Sequence, residues 1–372
     1  MYGADAGDAD AAATSSFTDI DFVVIEEEER RRTGAAIPGD AAARQRRALL
    51  QLADDPRLDY VFMRAQQGGA VVELHDLKLH GVLSAATWER GDIRGYRACL
   101  ERCEGDWGRR FADQRECGSC EPDEALDLSV NRSVVDQAKA VIVHSPWAKM
   151  QLEMQDCQAP IYVLPRYAPR PEETPAHTAD RAAARGLFGV AEDAFLVVAP
   201  VFPASSRRAH LVVAGFEILA ETAPEARLVM IDSAENHGLA ERVANSPFKD
   251  RIRVVEDDEA AAADWTLAAD IVAVIARPTV EAAEAVARGM GFGRLVMTPE
   301  LDAFSDLADR LVEKIELDRD PAEQIGDIFV RWRVDGDGLR RREAAVAEYA
   351  RAKLSLEGRR AEIASILRWH WR

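Results

Sequence analysis

The stretch DAFLVVAPVFPASSRRAHLVVAGFEILAETAPEARLVMIDS, Asp193–Ser233, decides the fold of this chain. Its first apolar run, DAFLVVAPVF, is short and rich in Val, a pattern typical of a buried strand. HLVVAGFEILAETAP then repeats apolar residues at helical spacing, and EARLVMIDS is a second strand pattern. A strand, a helix and a strand in this order indicate a βαβ unit, which builds parallel sheets.

The same alternation continues on both sides of this stretch. Downstream, DRIRVVEDD, AADIVAVIARP and GRLVMTP are strand patterns, and VEAAEAVARGM is a helix pattern. Upstream, the strand candidates are DIDFVVIEE, GAVVELHD, AKAVIVHS and APIYVLPRY, with helices predicted at about Ala41–Leu52, at about Ala86–Phe111 and from Pro146. We therefore predict an α/β protein with two Rossmann-like domains and a closing C-terminal helix.

Composition shifts set the predicted domain boundaries. The segment PRPEETPAHTAD is proline-rich, acidic and aperiodic, as in a linker between domains. The first sixteen residues are mostly Ala, Asp, Gly and Ser, and long amphipathic helices are predicted after Gly338. We predict a disordered tail at 1–16, a shortened N-terminal domain at 17–170, a linker at 171–180, a C-terminal domain at 181–338 and closing helices at 339–372.

The composition is that of a folded, acidic protein. The 372 residues are 48% hydrophobic and 30% charged, enough for two domains with ordinary cores. With 47 Lys and Arg against 65 Asp and Glu, the net charge of −18 repels nucleic acid, so we expect no nucleic-acid partner. No apolar run reaches the ~20 residues of a membrane span and no export signal is present, so the cytoplasm is the expected location.

Two segments carry a resemblance to a known family. They are SVNRSVVDQAKAVIVHSPWAKMQLE, followed by YVLPRYAP, and AADIVAVIARPTVEAAEAVARGMGFGRLVMTPELDAF. Their order and spacing resemble family-four glycosyltransferases of the GT-B fold, from about Asp59 to Leu367. The resemblance implies transfer of a sugar from a nucleotide diphosphate sugar to a glycan, lipid or other acceptor. It places the nucleotide sugar on the C-terminal domain and requires no cofactor.

The segment VVELHDLKLH contains the first candidate site residues, His75 and Asp76. Ligands of parallel sheets bind beyond the carboxyl ends of strands, where both residues lie if VVEL is a strand. The segment resembles the family's His-Asp segment, which implies that His75 positions the donor sugar and Asp76 assists it. The alternative is that both residues only cap a turn. His80 could simply lie on a helix surface.

The loop VFPASSRRAHL follows the first strand of the second domain. The resemblance implies that Arg207 and Arg208 bind the donor diphosphate, which guanidinium groups can hold bidentately. The alternative is an exposed charged loop. The family's glycine-rich turn is absent, because Pro200 and Pro203 stand in its place.

The acidic motif departs from the family's pattern of two glutamates, E-x(7)-E. If EAVARG is aligned with the family's Glu-Ala-x-Ala-x-Gly, Glu284 is the ribose ligand and Ala276 replaces the first glutamate. If RPTVE is aligned instead, Glu281 faces the sugar and Gly289 replaces the second glutamate. Either way one carboxylate is missing, so we expect donor binding to persist better than catalysis. The alternative is a pair of solvated helix glutamates.

Four of the five cysteines form two close pairs, Cys99 with Cys103 and Cys117 with Cys120. Two such pairs can form a tetrahedral zinc site, and a C-x-x-C pair can act in redox chemistry. The spacing of the first pair is atypical for zinc, and the resemblance implies no metal. We therefore predict that no metal is bound and that the thiols are reduced.

The two ends of the chain suggest further contacts. Only three convincing strands precede the linker, and a partner subunit could complete so short a sheet. In AEIASILRWHWR, Ile363, Ile366, Leu367 and Trp371 form an apolar face that could pack on the N-terminal domain. Alternatively, the Trp and Arg residues of this segment could lie peripherally at the inner membrane face.

These observations predict a glycosyltransferase. One alternative is a catalytically degenerate GT-B protein that binds a nucleotide sugar or supports an active transferase. Another is a GT-B epimerase, disfavoured because the cleft acids such an enzyme needs are not found. The predicted catalytic residues are His75, Asp76 and Glu281, and the predicted donor-binding residues are Arg207, Arg208 and Glu284.

Overall fold

The computed structural model describes residues 48–120, 128–202, 208–232 and 237–371. They form two compact α/β units, which confirms the predicted fold class. The first unit comprises the described part of Met1–Val143 together with Leu152–Tyr162 and Arg360–Arg372, and the second comprises His144–Gln151 and the described part of Val163–Arg359. The predicted tail at 1–16 and the strand candidate DIDFVVIEE lie outside the described residues.

The sheet of the first unit has four strands in the order β1-β2-β3-β4. Their bounds are β1 Leu49–Leu52, β2 Val71–Leu74, β3 Ala140–Val143 and β4 Ile161–Val163. β1 pairs with β2 in parallel, and β2 with β3. Every residue of β2 and β3 is buried, as expected for a parallel sheet covered on both faces.

The sequence prediction for β1 was wrong. We expected a helix over about Ala41–Leu52, because Ala, Arg, Gln and Leu favour helices. Instead, Leu49–Leu52 pairs along its whole length with Val71–Leu74. Backbone pairing with a buried strand overrides the local preference, so the described sheet has four strands where we had counted three convincing ones.

Helices alternate with these strands along the first part of the chain. They are α1 Asp59–Ala65, α2 His80–Ala86, α3 Ile93–Glu116, α4 Arg132–Val135 and α5 Pro146–Met154. The helical region predicted over about Ala86–Phe111 corresponds to α3, although α3 begins and ends later. Gly105 interrupts α3 with φ 61° and ψ −137°, a backbone conformation that glycine adopts without strain.

His80 is a buried residue, so the expectation that it lies on a helix surface was wrong. Its Nε2 is 2.6 Å from the hydroxyl of Tyr96, and Arg115 donates to the same hydroxyl at 2.8 Å. Burial, with the charge of Arg115 as a second cause, lowers the pKa of His80 to about 4. His80 therefore stays neutral inside the first unit at physiological pH.

This lowered pKa predicts a loss of stability in acid. Between pH 6.5 and about pH 4 the unfolded chain protonates His80 and the folded chain does not, so stability falls as the pH falls through that window. From pH 7 to pH 5 the expected loss from this one group is about 2 kcal/mol. In the variant His80→Gln, the free energy of unfolding measured by urea denaturation should fall less between pH 7 and pH 5, because this contribution is absent. An identical pH dependence in the two proteins would contradict the prediction.

The sheet of the second unit has six strands in the order β10-β9-β8-β5-β6-β7, all paired in parallel. This is the doubly wound nucleotide-binding order, with the reversal of strand order between β5 and β8. The strands are β5 Leu196–Val201, β6 Arg227–Asp232, β7 Ile252–Glu256, β8 Ile271–Ala273, β9 Leu295–Pro299 and β10 Val312–Ile315. All but β10 were predicted.

Helices cover the second sheet and end the chain. They are α6 Arg181–Phe188, α7 Ala209–Thr222, α8 His237–Ala244, α9 Glu259–Ala268, α10 Val280–Gly291, α11 Pro321–Val334, α12 Gly336–Lys353 and α13 Leu356–His370. The last part of α13, from Arg360, belongs to the first unit. There Ile363, Ile366 and Leu367 are buried, whereas Trp369 is 67% exposed. In the parts of the chain that the structure describes, no helix is long and apolar enough to cross a membrane.

The proline-rich segment 171–180 is part of the second unit. The buried carboxylate of Asp264, on α9, accepts hydrogen bonds from the backbone N–H groups of His177 and Thr178. It also accepts from the hydroxyl of Thr178 at 2.6 Å. Burial alone would raise the pKa of Asp264, but these donors hold it below its usual value. The carboxylate therefore anchors this segment to α9.

Helices α7 and α11 pack closely because each has a glycine at the crossing. A Cβ atom built on Gly326 would lie 2.8 Å from the Cβ of Ile218, and one on Gly215 would collide with the side chain of Ile325. The two contacts are reciprocal, each isoleucine filling the space above the other helix's glycine. Interiors packed this tightly resist added methyl groups.

We expect Gly326→Ala to lower the free energy of unfolding by about 1–2 kcal/mol, because overpacking outweighs the gain in helix propensity. The matched control is Gly186→Ala in α6, where a Cβ atom would meet nothing within 4 Å. That change should raise the free energy of unfolding by about 0.5–1 kcal/mol. Chemical denaturation of both variants checks this. Equal effects of the two substitutions would disprove the packing interpretation.

Candidate functional site

The candidate site is the place where β5 and β8 separate. β5 pairs with β6 as far as Val201 and Asp232, but with β8 only as far as Val198 and Val272. The paired register of the two strands ends at Val198 and Val272, and residues of both strands, among them Ala199 and Ala273, line a small cavity beyond that point. Crevices at such a reversal of strand order bind ligands in doubly wound folds.

At the other end of these two strands, Asp270 links the amino end of β5 to the amino end of β8. It immediately precedes β8, and its carboxylate accepts the backbone N–H of Leu196, the first residue of β5, at 2.7 Å. Arg185 donates to the same oxygen at 2.7 Å, and Arg181 pairs with the other oxygen. Asp270 is buried, so its charge is compensated entirely by hydrogen-bonding partners. The register of β5 against β8 is fixed at this end.

The loop after β5 carries the predicted phosphate-binding arginines. Arg207 lies outside the described residues. Arg208 immediately precedes α7 and is half-buried. Burial lowers the pKa of Arg208, the positive charge of Arg277 lowers it further, and the carboxylate of Asp302 acts in the opposite direction. A half-buried cation with another cation close by is a setting that favours a bound anion.

Arg277 was not predicted as a site residue. It follows β8 and lies just before Thr279, whose side chain caps α10 by accepting the N–H of Ala282. The sequence contains one indication that Arg277 could be a site residue. Arg277 lies in the segment ARPT, directly after a buried strand. The interaction with Arg208 depends on two loops that are distant in the sequence, and so the sequence does not reveal it.

The packing of α10 bears on the two alignments of the acidic motif. A Cβ atom built on Gly289 would lie 2.7 Å from a methyl carbon of Val296, on β9. Position 289 therefore faces the sheet, where a glutamate could not reach a ligand. The alignment that places the second glutamate at 289 does not suit this helix. The other alignment puts a half-buried Glu284 on α10 and a buried alanine, Ala276, after β8.

Glu281 lies in the first turn of α10 and is exposed to solvent. A carboxylate near a helix N-terminus is favoured by the helix dipole. This position explains the residue without a ligand. Glu281 and Glu284 both lie on α10, which begins at the carboxyl edge of the sheet. This position is compatible with a sugar-facing carboxylate and with a ribose ligand.

In the first unit, His75 and Asp76 directly follow β2, as predicted. The N–H of His75 donates to the carbonyl oxygen of Leu52, at the end of β1. The carboxylate of Asp76 accepts the N–H of Asp54 at 3.1 Å, and Asp54 in turn accepts the N–H of Val82 in α2. Asp76 thus joins the loops after β1 and β2, which fixes the backbone that presents His75.

The four paired cysteines do not form the zinc set that we had considered. Cys99 and Cys103 are buried on α3, whereas Cys117 is exposed just beyond its end. Among the described residues, no three of these sulfur atoms come within 4.8 Å of one another. All five cysteines are free thiols. A hydrogen bond from Cys103 lowers the pKa of Cys99 and raises that of Cys103 itself.

Solved structures have a similar fold over most of the chain. HepE from Anabaena, in complex with UDP-glucose, is 14% identical with a TM-score of 0.57, over 90% of this chain and 97% of that one. Sucrose-phosphate synthase from Thermosynechococcus elongatus is 15% identical with a TM-score of 0.56, over 85% and 78%. A glycosyltransferase from Rickettsia africae is 12% identical with a TM-score of 0.54, over 87% and 98%.

These likenesses show that the chain has the GT-B fold, and the fold implied by the sequence resemblance is confirmed. Neither a protein-family model nor a curated protein sequence matches the chain. At identities of 12–15% the comparisons establish the fold alone. The activity has to be inferred from the site.

Proposed function

We propose that this protein is a glycosyltransferase that takes its sugar from a nucleotide diphosphate sugar. The observation that carries the proposal is the crevice between β5 and β8, with the half-buried cation Arg208 at its edge. A diphosphate is the part of the donor that needs positive charge, both when it binds and when it leaves. The solved structure of HepE with UDP-glucose supports this choice of donor class.

The proposed roles combine the crevice with the family resemblance. Arg208, with Arg207, holds the diphosphate, and Glu284 accepts hydrogen bonds from the ribose hydroxyls. In the first unit, His75 orients the donor sugar, and Asp76 positions His75 through the hydrogen bond to Asp54. Glu281 is kept as the candidate sugar-facing carboxylate. The acceptor is a glycan, a lipid or another hydroxyl compound.

A second candidate function is favoured by one observation. In the better-fitting alignment, the position of the family's first glutamate is occupied by Ala276, which is 3% exposed. The chain therefore has no carboxylate at this position. A protein that lacks this group could bind a nucleotide sugar without transferring it, and could support an active transferase. A partner subunit that extends the first sheet would suit this function. For both functions we propose a cytoplasmic location, which extends to the inner membrane face if the acceptor is a lipid.

The first test separates donor binding from catalysis. We expect the full chain to bind at least one of UDP-, GDP- and ADP-glucose in isothermal titration calorimetry. We also expect it to hydrolyse that nucleotide sugar slowly, with water as the acceptor, and to release the free nucleoside diphosphate. Binding without release, even with an acceptor panel, would support the degenerate function and contradict the transferase. Failure to bind any of the nucleotides would contradict both functions.

The second test compares two glutamates on the same helix. Glu284→Gln should weaken nucleotide binding at least about tenfold, because a hydrogen bond to a charged group contributes about 1.5–3 kcal/mol. Glu281→Gln makes the same charge change one turn earlier. Because a sugar-facing carboxylate does not contact the nucleotide, binding of the free nucleoside diphosphate should change less than about twofold in this variant. The reverse order of effects would show that the alignment through RPTVE is right.

A further inference from the structure

Three side chains that can ligate a metal come together at the first sheet. Glu73 is the third residue of β2, His75 is the first residue after β2, and His144 is the first residue after β3. One carboxylate oxygen and one nitrogen from each ring all lie within 4.8 Å of one another. Among the described residues, no other three His, Cys, Asp or Glu side chains come so close.

The pairing of β2 with β3 explains why these residues meet. Glu73 is aligned with Ile142 in the parallel register, and the N–H of His75 still bonds to the carbonyl oxygen of Leu52, so strand geometry extends to His75. Successive side chains alternate between the two faces of a sheet. His75 is two residues after Glu73, and His144 is two residues after Ile142. The two imidazoles therefore lie on the same face as the carboxylate, on neighbouring strands.

The carboxylate of Glu73 is completely buried. Glutamate is almost never fully buried unless it is paired, because removing its charge from water is costly. Gln51, aligned with Glu73 on β1, donates from Nε2 to one carboxylate oxygen at 2.9 Å. Ligating carboxylates in metal sites are held by hydrogen bonds of this kind. A cation next to Glu73 would offset the cost of its burial.

The ring of His144 has a defined tautomer when it is neutral. Its Nδ1 lies 3.0 Å from the carbonyl oxygen of Leu164. A carbonyl oxygen only accepts hydrogen bonds, so Nδ1 carries the hydrogen, and the lone pair of the neutral ring is on Nε2. Metal-ligating histidines almost always donate their other ring N–H to a carboxylate, a backbone carbonyl or water. His144 has this support.

We propose that Glu73, His75 and His144 form a binding site for a divalent transition-metal ion, foremost Zn²⁺. Two imidazoles and one carboxylate are a ligand set that zinc uses, and they leave a fourth position for water or another ligand. Tetrahedral zinc holds its nitrogen and oxygen ligands about 3.3 Å apart, so each ligand has to move by less than about 1 Å. The site differs from the cysteine set and runs against the expectation that the chain binds no metal. It goes beyond the proposed function, which requires none.

The experiment measures Zn²⁺ binding to the full chain, after chelator treatment and desalting, by competition with a chromogenic zinc chelator. Every protein carries Cys117→Ser and Cys120→Ser, which removes the two thiols that follow α3. His75→Gln and His144→Gln each remove one ligand. The matched control is His210→Gln, the same change at an exposed histidine of α7. Circular dichroism checks that each variant is folded.

The parent protein should bind one equivalent of Zn²⁺, and each ligand variant should bind it at least about tenfold more weakly, a loss that even outer-shell partners of a metal can cause. His210→Gln should bind as the parent does. Absence of zinc binding by the parent, or equal binding by either folded ligand variant, would overturn the inference.

A second measurement keeps the inference testable if the ligand variants do not fold. Co²⁺ bound to the parent should give visible d–d bands without a thiolate charge-transfer band, because the ligands are nitrogen and oxygen atoms. A thiolate band would assign the metal to the remaining cysteines and overturn the inference. The outcome is independent of nucleotide binding: a protein that binds zinc and no nucleotide would keep this inference and contradict the proposed function.

Discussion

The hydrogen bonds of Asp270 are the constraint on which the candidate site depends. By accepting the N–H of Leu196, this carboxylate holds the amino ends of β5 and β8 in register, and Arg185 neutralises it inside the protein. The two strands can then separate only toward their carboxyl ends. A buried ionic group of this kind contributes little net stability, so its value here is in fixing one geometry.

That geometry explains where the charges lie. A chain with a net charge of −18 repels anions over most of its surface, and a diphosphate can bind only where cations are concentrated. In the second unit, Arg208 precedes α7 and Arg277 follows β8, so each arginine comes after one of the two strands that separate. Burial lowers the pKa of the half-buried Arg208, and the positive charge of Arg277 lowers it further.

Much of the fold could be predicted from the sequence, because buried parallel strands such as β3, β5 and β8 are short apolar runs. β1 could not, since its residues favour a helix and only pairing with β2 makes them a strand. β10 was missed because VEKI has two charged residues, Glu313 and Lys314, at its centre. Of the site, the loops and the helix that hold Arg208 and Glu284 were predictable. The interaction of Arg208 with Arg277, and the direction in which position 289 faces, depend on contacts between distant segments.

The most direct test of the account is an experimental structure of the full chain with the nucleoside diphosphate that binds best. The account predicts the diphosphate at the carboxyl ends of β5 and β8, in contact with Arg208, with the ribose toward Glu284 on α10. A nucleotide bound at the amino edge of the second sheet, near Asp270, or on the first unit alone would contradict it.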